Sequence, residues 1–343
     1  MNAPTESKQF IHRHAAHCES GVLSNLLTHH GLPLSEPMAF GLSSALSFAY
    51  LPFIKVYGMP LIAYRMPPKA ILNGVRKPLG VRFHYETFGS PKVAEQRLDQ
   101  LLDDGHVVGL QASAYWLPYF PADMRFHFNA HYLLVYGRDG DDYLISDPVG
   151  EVTARCPRAD LARARFAKGL LAPKGRLFYP DRIDAGQLSP ESLRPKVLNA
   201  IRKTTRIMLP PPLIPIAGVR GMRLLANKIA RLDPTLPHSS QFIGHLVRMQ
   251  EEIGTGGAGF RFLYAAFLQE AAEKVGLPQL APYAERLMAI GDEWRAFALA
   301  AARMVKGRDV LDPPRIAAML RALADREEAY FRDLARDLKA MAA

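Results

Sequence analysis

The spacing of apolar residues changes between the two halves of the chain, and this change limits the fold most strongly. Between residues 106 and 148, three segments alternate apolar and polar residues, which is the pattern of strands. Beyond residue 236, apolar residues recur at helical spacing in four segments. We therefore predict an α+β domain over residues 1–182 and a helical domain over 183–343. In the second domain, a basic linker region covers about 183–235 and an antiparallel bundle covers about 236–343.

Length and composition narrow the class of protein. A chain of 343 residues exceeds the usual size of one hydrophobic core, so two domains are expected. Its 49% hydrophobic and 22% charged residues are typical of a globular protein. We find no uninterrupted apolar run of the roughly 18 residues that span a bilayer and no signal-peptide core, so we predict a cytoplasmic protein without a membrane partner. Two cysteines without metal-site spacing predict neither a disulfide framework nor a metal site.

One of these cysteines opens the first predicted helix, over residues 17–31. Cys18, Val22 and Leu26 follow one face of this helix, and Gly31 is placed to end it. The N-terminus of a helix favours the thiolate form of a cysteine, which is the nucleophilic form. The alternative is an inert cysteine that packs as a small apolar residue. The helix alone leaves both interpretations open.

The remaining pattern of the first domain predicts a helix packed on a mainly antiparallel sheet. Residues 37–54 carry no charge and many small side chains, so we expect this segment to be buried and to allow close backbone approach. A strand is predicted over 81–88 and helices over 91–105 and 157–168, while residues 176–180 are predicted to supply an edge strand.

A histidine and an aspartate lie at neighbouring ends of a predicted hairpin. His131 begins its first strand, over 131–137, and Asp147 ends the second, over 142–148. Asp147 can therefore accept a hydrogen bond from one imidazole nitrogen and direct the other nitrogen toward a thiol. The chain order of cysteine, histidine and then carboxylate is that of papain-like enzymes.

The net charge of +10 is concentrated in two windows without acidic residues. They cover residues 37–85, with six basic residues, and residues 192–232, with nine. Such windows either form solvated surface or steer an acidic protein or an anionic substrate into place. No zinc-finger spacing, aromatic RNA-binding motif or clear helix-turn-helix is found, so no nucleic-acid partner is expected.

Four segments together resemble the butirosin-biosynthesis protein H family. HCESGVLSNLLTHHGLPLSEPMAFGLSSALSFAY, residues 17–50, is similar to the opening of that family. NAHYLLVYG, residues 129–137, and SDP, residues 146–148, resemble its later histidine and aspartate motifs. EEIGTGGAGFRFLYAAFLQEA, residues 251–271, resembles the signature of the helical domain that accompanies it. The resemblance covers most of the chain.

The resemblance implies a papain-like acyltransferase of specialised-metabolite biosynthesis. Such an enzyme takes an acyl group from the phosphopantetheine thioester of an acidic acyl carrier protein and places it on a small-molecule amine, which forms an amide. Carried over residue by residue, Cys18 is the nucleophile, His131 the general base and acid, and Asp147 the orienting group. No bound cofactor is implied. The same three residues would also serve a thioesterase or peptidase, and a non-catalytic binding or scaffold protein is the alternative of another class.

Further polar residues are candidates for contact with substrate. Backbone N–H groups at the start of the Cys18 helix are natural donors to an oxyanion. No glutamine or asparagine follows Gln9 before Cys18, so Gln111 and Asn129 are the candidates for a second donor. Glu36 would either bind the acceptor amine, pair with a nearby basic residue or cap a helix.

Arg261 follows the glycine-rich sequence GTGGAG, residues 254–259, which lacks the Gly-Lys-Ser/Thr ending of a nucleotide-binding loop. This sequence forms either a tight junction between helices or the closure of a substrate pocket, with Arg261 on an anionic group.

Overall fold

The computed structural model describes residues 9–56 and 58–341 and divides the chain into two compact units. The first unit comprises Met1–Ala39 and Val75–Leu188, and the second comprises Phe40–Gly74 and Ser189–Ala343. The first unit carries a mixed helix and sheet structure, and the second is mainly helical. The predicted α+β class is confirmed.

The helices named below follow chain order: α1 (Cys18–His29), α2 (Glu36–Leu42), α3 (Ala70–Gly74), α4 (Pro91–Asp103), α5 (Arg158–Arg165), α6 (Pro190–Met208), α7 (Gly218–Ile229), α8 (Pro237–Glu251), α9 (Arg261–Lys274), α10 (Ala281–Val305) and α11 (Pro313–Met341). The strands are β1 (Leu46–Val56), β2 (Met59–Arg65), β3 (Arg82–Glu86), β4 (Val108–Ala112), β5 (His131–Asp139), β6 (Asp142–Ser146), β7 (Ala154–Pro157) and β8 (Leu177–Arg182). Within the described residues, no helix is both long and apolar enough to cross a membrane.

The first unit is built on an antiparallel sheet with the strand order β3-β8-β4-β5-β6-β7. The core of this unit joins alternate residues of β4 and β5, such as Leu110 and its partner Leu133, to apolar residues of α4 and α5. The same register pairs Ala112 with His131, so the first residue of β5 is held at the end of a buried strand pair. The predicted hairpin is present as β5 and β6.

One strand of this sheet lies in a different position from the predicted one. Residues 176–180 are predicted at the edge, but β8 lies between β3 and β4. The Phe178 ring covers Gly109, where a Cβ atom would lie 2.2 Å from the ring. A glycine on β4 therefore makes room for the interior strand, and β3 takes the edge position.

The segment 40–74, predicted within the catalytic domain, packs in the second unit instead. Strands β1 and β2 lie in this segment and pair as a hairpin, which contacts α6, α7 and α8. Its small residues do allow close approach, since Gly41 lies against the Phe267 ring. The expectation of full burial fails at Phe53, which is 70% exposed.

The predicted linker region, about 183–235, contains two helices. Helix α6 buries Leu193, Val197, Ile201 and Met208, whose spacing is helical, while its charged residues occupy the other positions. After Leu209, which follows the last residue of α6, come prolines 210–212, and α7 begins at Gly218. The proline-rich sequence is therefore a short connection between two helices, and the residues on both sides of it are helical where a linker was predicted.

The four predicted bundle segments form α8, α9, α10 and α11, and the glycine-rich sequence joins α8 to α9. Gly259 has a φ of 55°, and a Cβ atom there would lie 2.3 Å from the Tyr64 ring. The Ala258 N–H donates to Glu251 Oε1 at 3.1 Å, and the Gly257 N–H donates to Thr255 Oγ1 at 3.1 Å. These N–H groups are occupied within the loop, so it is a tight helix junction.

An ion pair between Arg261 and Glu327 lies in the interior of the second unit. Both side chains are fully buried, and two Arg261 nitrogens donate to the carboxylate at 2.8 and 2.9 Å. Trp294 Nε1 donates to the same carboxylate at 2.7 Å, and the guanidinium lies 4.9 Å from the Trp294 ring centroid. This pair fixes α9 to α11, so Arg261 is occupied away from any anionic substrate.

We predict that Arg261→Met lowers the free energy of unfolding by about 3–5 kcal/mol, because Glu327 keeps a buried charge without its partner. Arg261→Met combined with Glu327→Met should recover most of this loss. Urea denaturation measures both, with the more exposed Arg326–Glu293 pair as control. Arg326→Met should cost about 1 kcal/mol or less. Equal losses for Arg261→Met and Arg326→Met would contradict this prediction.

Candidate active site

Helix α1 begins at Cys18, and the preceding residue caps it. The His17 Nδ1 atom accepts the Ser20 N–H at 3.3 Å, and the Gly21 N–H donates to the His17 carbonyl at 2.9 Å. The Cys18 side chain is buried at the first helical position, on the face that also buries Val22 and Leu26. The sulfur therefore lies at the positive end of the helix dipole.

A carboxylate holds the turn that leads into α1. Glu36 accepts the N–H groups of Ala16 and His17, each at 2.8 Å, and the Ser20 hydroxyl at 2.9 Å. Burial raises the pKa of Glu36, and these hydrogen bonds lower it by a smaller amount. Of the three sequence interpretations of Glu36, these contacts match the capping of the helix start.

The segment before Cys18 is tied to the residues around Asp147. His12 Nε2–H donates to the Gly150 carbonyl at 3.1 Å, and the His12 Nδ1 atom lies 2.8 Å from Ser146 Oγ. The Ala15 N–H donates to the Pro148 carbonyl at 2.6 Å. A Cβ atom on Gly21 would lie 2.6 Å from Pro148, so only glycine allows α1 this close. Helix α1 and the end of β6 are thus held together.

His131 and Asp147 form a buried hydrogen-bonded pair. The His131 Nε2–H donates to Asp147 Oδ2 at 2.6 Å, and the two residues are 5% and 2% exposed. The Val149 N–H donates to the other carboxylate oxygen at 3.3 Å. Because Nε2 is taken by Asp147, the Nδ1 atom is the nitrogen left for Cys18, whose side chain hydrogen-bonds with this imidazole. The structure thus brings together the three residues predicted from the sequence.

The surroundings of His131 stabilise its protonated form. Burial lowers the pKa of His131, but the charge and hydrogen bond of Asp147, together with Cys18, raise it to about 10. The ordinary value is 6.5, so the imidazolium is retained at neutral pH and is lost as the pH rises through about 10. An imidazolium beside a thiol favours the thiolate, which is the reactive ion pair of cysteine enzymes.

Tyr119 completes the site, and sequence reasoning did not find it. Its hydroxyl donates to Asp147 Oδ2 at 2.8 Å, the same oxygen that accepts from His131. Burial and then the charge of Asp147 raise the pKa of Tyr119 well above 10, so the hydroxyl keeps its proton. The adjacent Phe120 ring meets the His131 ring edge to face at 5.3 Å. Both residues lie in the connection between β4 and β5, which carries no recognisable motif.

The two predicted amide donors to an oxyanion are engaged in other hydrogen bonds. Gln111 Nε2 donates to the carbonyls of Asn129 and Leu171 at 2.8 and 2.9 Å. Asn129 Nδ2 donates to the carbonyls of Lys168 and Leu170 at 3.1 and 3.0 Å. These amides hold the loop at residues 168–171, and all their N–H donors are used there. The Cys18 N–H, at the first position of α1, is the oxyanion donor that this geometry offers.

The second cysteine does not supply another reactive centre. Burial raises the pKa of Cys156 to about 12, so its thiol stays protonated and inert. Across residues 9–56 and 58–341, no cluster of three or more His, Cys, Asp or Glu side chains is arranged to hold a metal ion.

A thiol at a helix N-terminus, an imidazole at the start of a strand and a carboxylate at the end of the next strand define a papain-like cysteine enzyme. The family profile described as "Domain of unknown function (DUF4872)" matches residues 159–334, and the chain belongs to this family. The profile described as "Butirosin biosynthesis protein H, N-terminal" matches residues 17–148, which contain all three residues of the site. The resemblance to the butirosin-biosynthesis protein H family that the sequence showed is therefore confirmed.

Comparison with solved structures finds a chain described as a C39-like peptidase from Bacillus anthracis. It shares 15% sequence identity with this chain, and the alignment covers 52% of this chain and 98% of that one with a TM-score of 0.35. Comparison with curated proteins gives no match.

We predict that Tyr119→Phe raises the pKa of His131 further. Without the hydroxyl, Asp147 Oδ2 loses its second donor and stabilises the imidazolium more strongly. The lost hydrogen bond to a charged group should also cost about 1–3 kcal/mol of stability. The pH titration of the His131 ring signals by NMR measures the first effect, and Tyr115→Phe, at an exposed tyrosine of the same connection, is the control. An unchanged or lowered pKa would contradict this role of Tyr119.

Proposed function

We propose that this protein is an acyltransferase that moves an acyl group from a carrier-protein thioester, through Cys18, to an amine. The observation that carries the proposal is the buried Cys18, His131 and Asp147 arrangement at the N-terminus of α1. A thiolate attacks acyl carbonyls and keeps the acyl group as a thioester. The match to the N-terminal profile of butirosin biosynthesis protein H supports a biosynthetic role for this chemistry.

In the first half of the reaction, the Cys18 thiolate attacks the carbonyl carbon of the carrier-bound thioester. The negative charge that develops on the carbonyl oxygen is stabilised by the Cys18 N–H and the helix dipole. The bond to the phosphopantetheine sulfur breaks, and the His131 imidazolium donates its Nδ1 proton to the leaving thiolate. The acyl group then remains on Cys18, and the carrier leaves with a free thiol.

In the second half, the amine attacks the acyl-enzyme and the neutral His131 accepts its proton. The C–S bond to Cys18 breaks as the amide forms, which restores the thiolate and the imidazolium. Exchange between two thioesters is nearly isoenergetic, so formation of the amide provides the driving force. Asp147 stabilises the imidazolium at both stages and holds its ring in one orientation.

The proposal requires no bound cofactor, because the phosphopantetheine arrives on the carrier. The acidic carrier protein, the small-molecule amine and a specialised-metabolite pathway belong to the proposal as well. We also propose a cytoplasmic location, in keeping with two cysteines that are both free.

Intact-mass detection of acyl transfer tests the proposal. The wild-type protein, mixed with an acyl-loaded carrier protein, should gain the mass of one acyl group, and an added polyamine or amino acid should discharge it as an amide. Cys18→Ala should form no adduct, whereas Cys156→Ala should form it at the wild-type rate, because the Cys156 thiol is inert.

The products separate the alternatives. Free acid without amide, in the presence of every amine tested, would identify a thioesterase instead. Cleavage of peptides would identify a peptidase. An absence of any adduct on Cys18, or continued transfer by Cys18→Ala, would overturn the proposal.

We predict that Asp147→Asn moves the basic limb of the pH profile of kcat/KM downward. In the wild type the imidazolium is lost near pH 10, because Asp147 raises the pKa of His131. An amide carries no charge to oppose burial, so the limb should move to about 6.5 or below, and kcat should fall by about 100-fold or more. Asp104→Asn, at an exposed helix end, should leave the profile unchanged. A basic limb that stays near pH 10 in Asp147→Asn would contradict the assigned role.

A further inference from the structure

A groove on the first unit lies between α5 and the connection that joins β4 to β5. Its volume is about 570 Å³, within the range of roughly 300–1,000 Å³ that is usual for small-molecule sites. All of its lining residues belong to the stretch Val75–Leu188, so the groove and the catalytic residues are parts of the same unit. The groove is large enough for a small molecule or a slender chemical chain.

Apolar side chains form one part of this groove. The Trp116 ring is 38% exposed, and Phe166, Ala159 and Ala162 also line the groove. The Tyr115 ring meets the Trp116 ring edge to face at 5.0 Å, which restricts the position of the Trp116 ring. An exposed tryptophan in a concave surface offers a rigid face against which a carbon chain can pack.

Basic side chains form the charged part of the groove. Arg163 and Lys168 line it and are exposed, whereas no aspartate or glutamate among residues 9–56 and 58–341 lines it. The Arg163 guanidinium lies 6.0 Å from the centroid of the Trp116 ring. Its Nη1 atom is 3.5 Å from Asp160 Oδ1, in an exposed pair that contributes little. The groove thus suits an anionic ligand that also has an apolar part.

Hydrogen bonds fix the walls of the groove. The Ser113 N–H donates to the Ala164 carbonyl at 2.9 Å, which attaches the start of the β4–β5 connection to α5. Arg165, on the same helix, is 3% exposed and donates to the Ala94 carbonyl of α4 at 3.2 Å. Because the walls are already held together, binding of a ligand requires little further ordering of the protein.

The groove also lies close to the catalytic residues along the chain. His127, one of its lining residues, precedes His131 by four residues, and a segment of this length spans at most about 14 Å. Asn129 Nδ2 donates to the Lys168 carbonyl at 3.1 Å, which ties a second lining segment to the residues just before His131. An extended chain bound in the groove can therefore span the distance to His131, whose imidazole hydrogen-bonds with Cys18.

We infer that the groove binds the phosphopantetheine arm of the carrier-bound acyl donor, an inference that rests on the proposed function. Arg163 and Lys168 bind the phosphate, and Trp116 and Phe166 pack against the carbon chain that follows it. The arm is anionic at the end attached to the carrier and bears the thioester at the other end. The basic residues therefore fix its position and leave the thioester for Cys18. An inorganic anion would leave the aromatic side chains without a role.

The two tryptophans of the chain allow a direct test of binding, because Trp294 is fully buried and Trp116 is exposed in the groove. Tryptophan fluorescence is followed as phosphopantetheine or pantetheine is added to the wild type and to Arg163→Gln/Lys168→Gln. The control variant is Arg82→Gln/Arg182→Gln, which removes two exposed arginines of β3 and β8 outside the groove. Urea denaturation shows that each variant is folded.

The wild type should bind phosphopantetheine with a Kd that is lower than that of pantetheine by about tenfold or more, because the phosphate forms charge-assisted hydrogen bonds. This preference should fall to about twofold or less in Arg163→Gln/Lys168→Gln. The control variant should keep the wild-type preference. Trp116→Phe should lose the fluorescence change, which assigns the signal to the groove.

The rate of acylation of Cys18 connects the groove to the reaction. Acyl-phosphopantetheine and acyl-pantetheine, with the same acyl group, are compared as donors. The wild-type KM should be lower for the phosphorylated donor by about tenfold or more, with a similar kcat, because the phosphate contributes binding and not chemistry. Arg163→Gln/Lys168→Gln should lose this difference in KM between the two donors, and the control variant should keep it.

Several outcomes would overturn the inference while leaving acylation of Cys18, and so the proposed function, intact. They are an unchanged fluorescence signal on addition of phosphopantetheine, equal wild-type affinities for phosphopantetheine and pantetheine, and a preference for phosphate that Arg163→Gln/Lys168→Gln retains. A lower KM for acyl-coenzyme A than for the acyl carrier protein would overturn the carrier as the source of the arm. If phosphopantetheine binds but no donor acylates Cys18, the proposed function fails, and the groove does not serve an acyl donor.

Discussion

The hydrogen bond from His131 Nε2 to Asp147 Oδ2 is the interaction on which the site depends. At 2.6 Å between two buried residues, it sets which imidazole nitrogen faces Cys18 and whether that nitrogen carries a proton. Burial alone would keep His131 neutral, and the carboxylate reverses this by raising the pKa of His131 to about 10. The imidazolium and the N-terminus of α1 then both lie beside the Cys18 sulfur. The Tyr119 hydroxyl donates to the same carboxylate oxygen as His131. It therefore competes with His131 for this oxygen and weakens the stabilisation of the imidazolium by Asp147.

Much of the first unit holds α1 in a fixed position relative to the His131–Asp147 hydrogen bond. Glu36 fixes the turn before Cys18, while His12 and the backbone of Ala15 attach that turn to residues on both sides of Asp147. Because Gly21 has no side chain, α1 can pack directly against Pro148. Each contact is modest by itself, but together they place a helix end and two strand ends with the accuracy that proton transfer requires.

Local sequence patterns were sufficient for the elements that carry the site, because helix α1 and the β5–β6 hairpin depend on short-range periodicity and turn residues. Packing between elements that are distant along the chain could not be predicted from the sequence. The placement of β8 inside the sheet depends on a single glycine on β4, and the transfer of residues 40–74 to the second unit depends on contacts with α6 and α7. Helix α6 lies in the predicted linker region because basic residues and prolines surround its apolar positions in the sequence. The role of Tyr119 depends on a tertiary contact with Asp147 that no local sequence pattern encodes. The same is true of the buried hydrogen bonds and the ion pair that engage Gln111, Asn129 and Arg261.

The protonation state of His131 at pH 8 tests the central claim most directly. Nitrogen-15 NMR of the wild-type protein, assigned with a His131→Gln variant, distinguishes an imidazolium from a neutral ring by the shifts of both ring nitrogens. Because the pKa of His131 is raised to about 10, both nitrogens should be protonated at this pH, which lies above the ordinary value of 6.5. In Asp147→Asn the ring should be neutral. A neutral wild-type imidazole at pH 8 would contradict the account, because Asp147 would then not hold a positive charge on His131 beside Cys18.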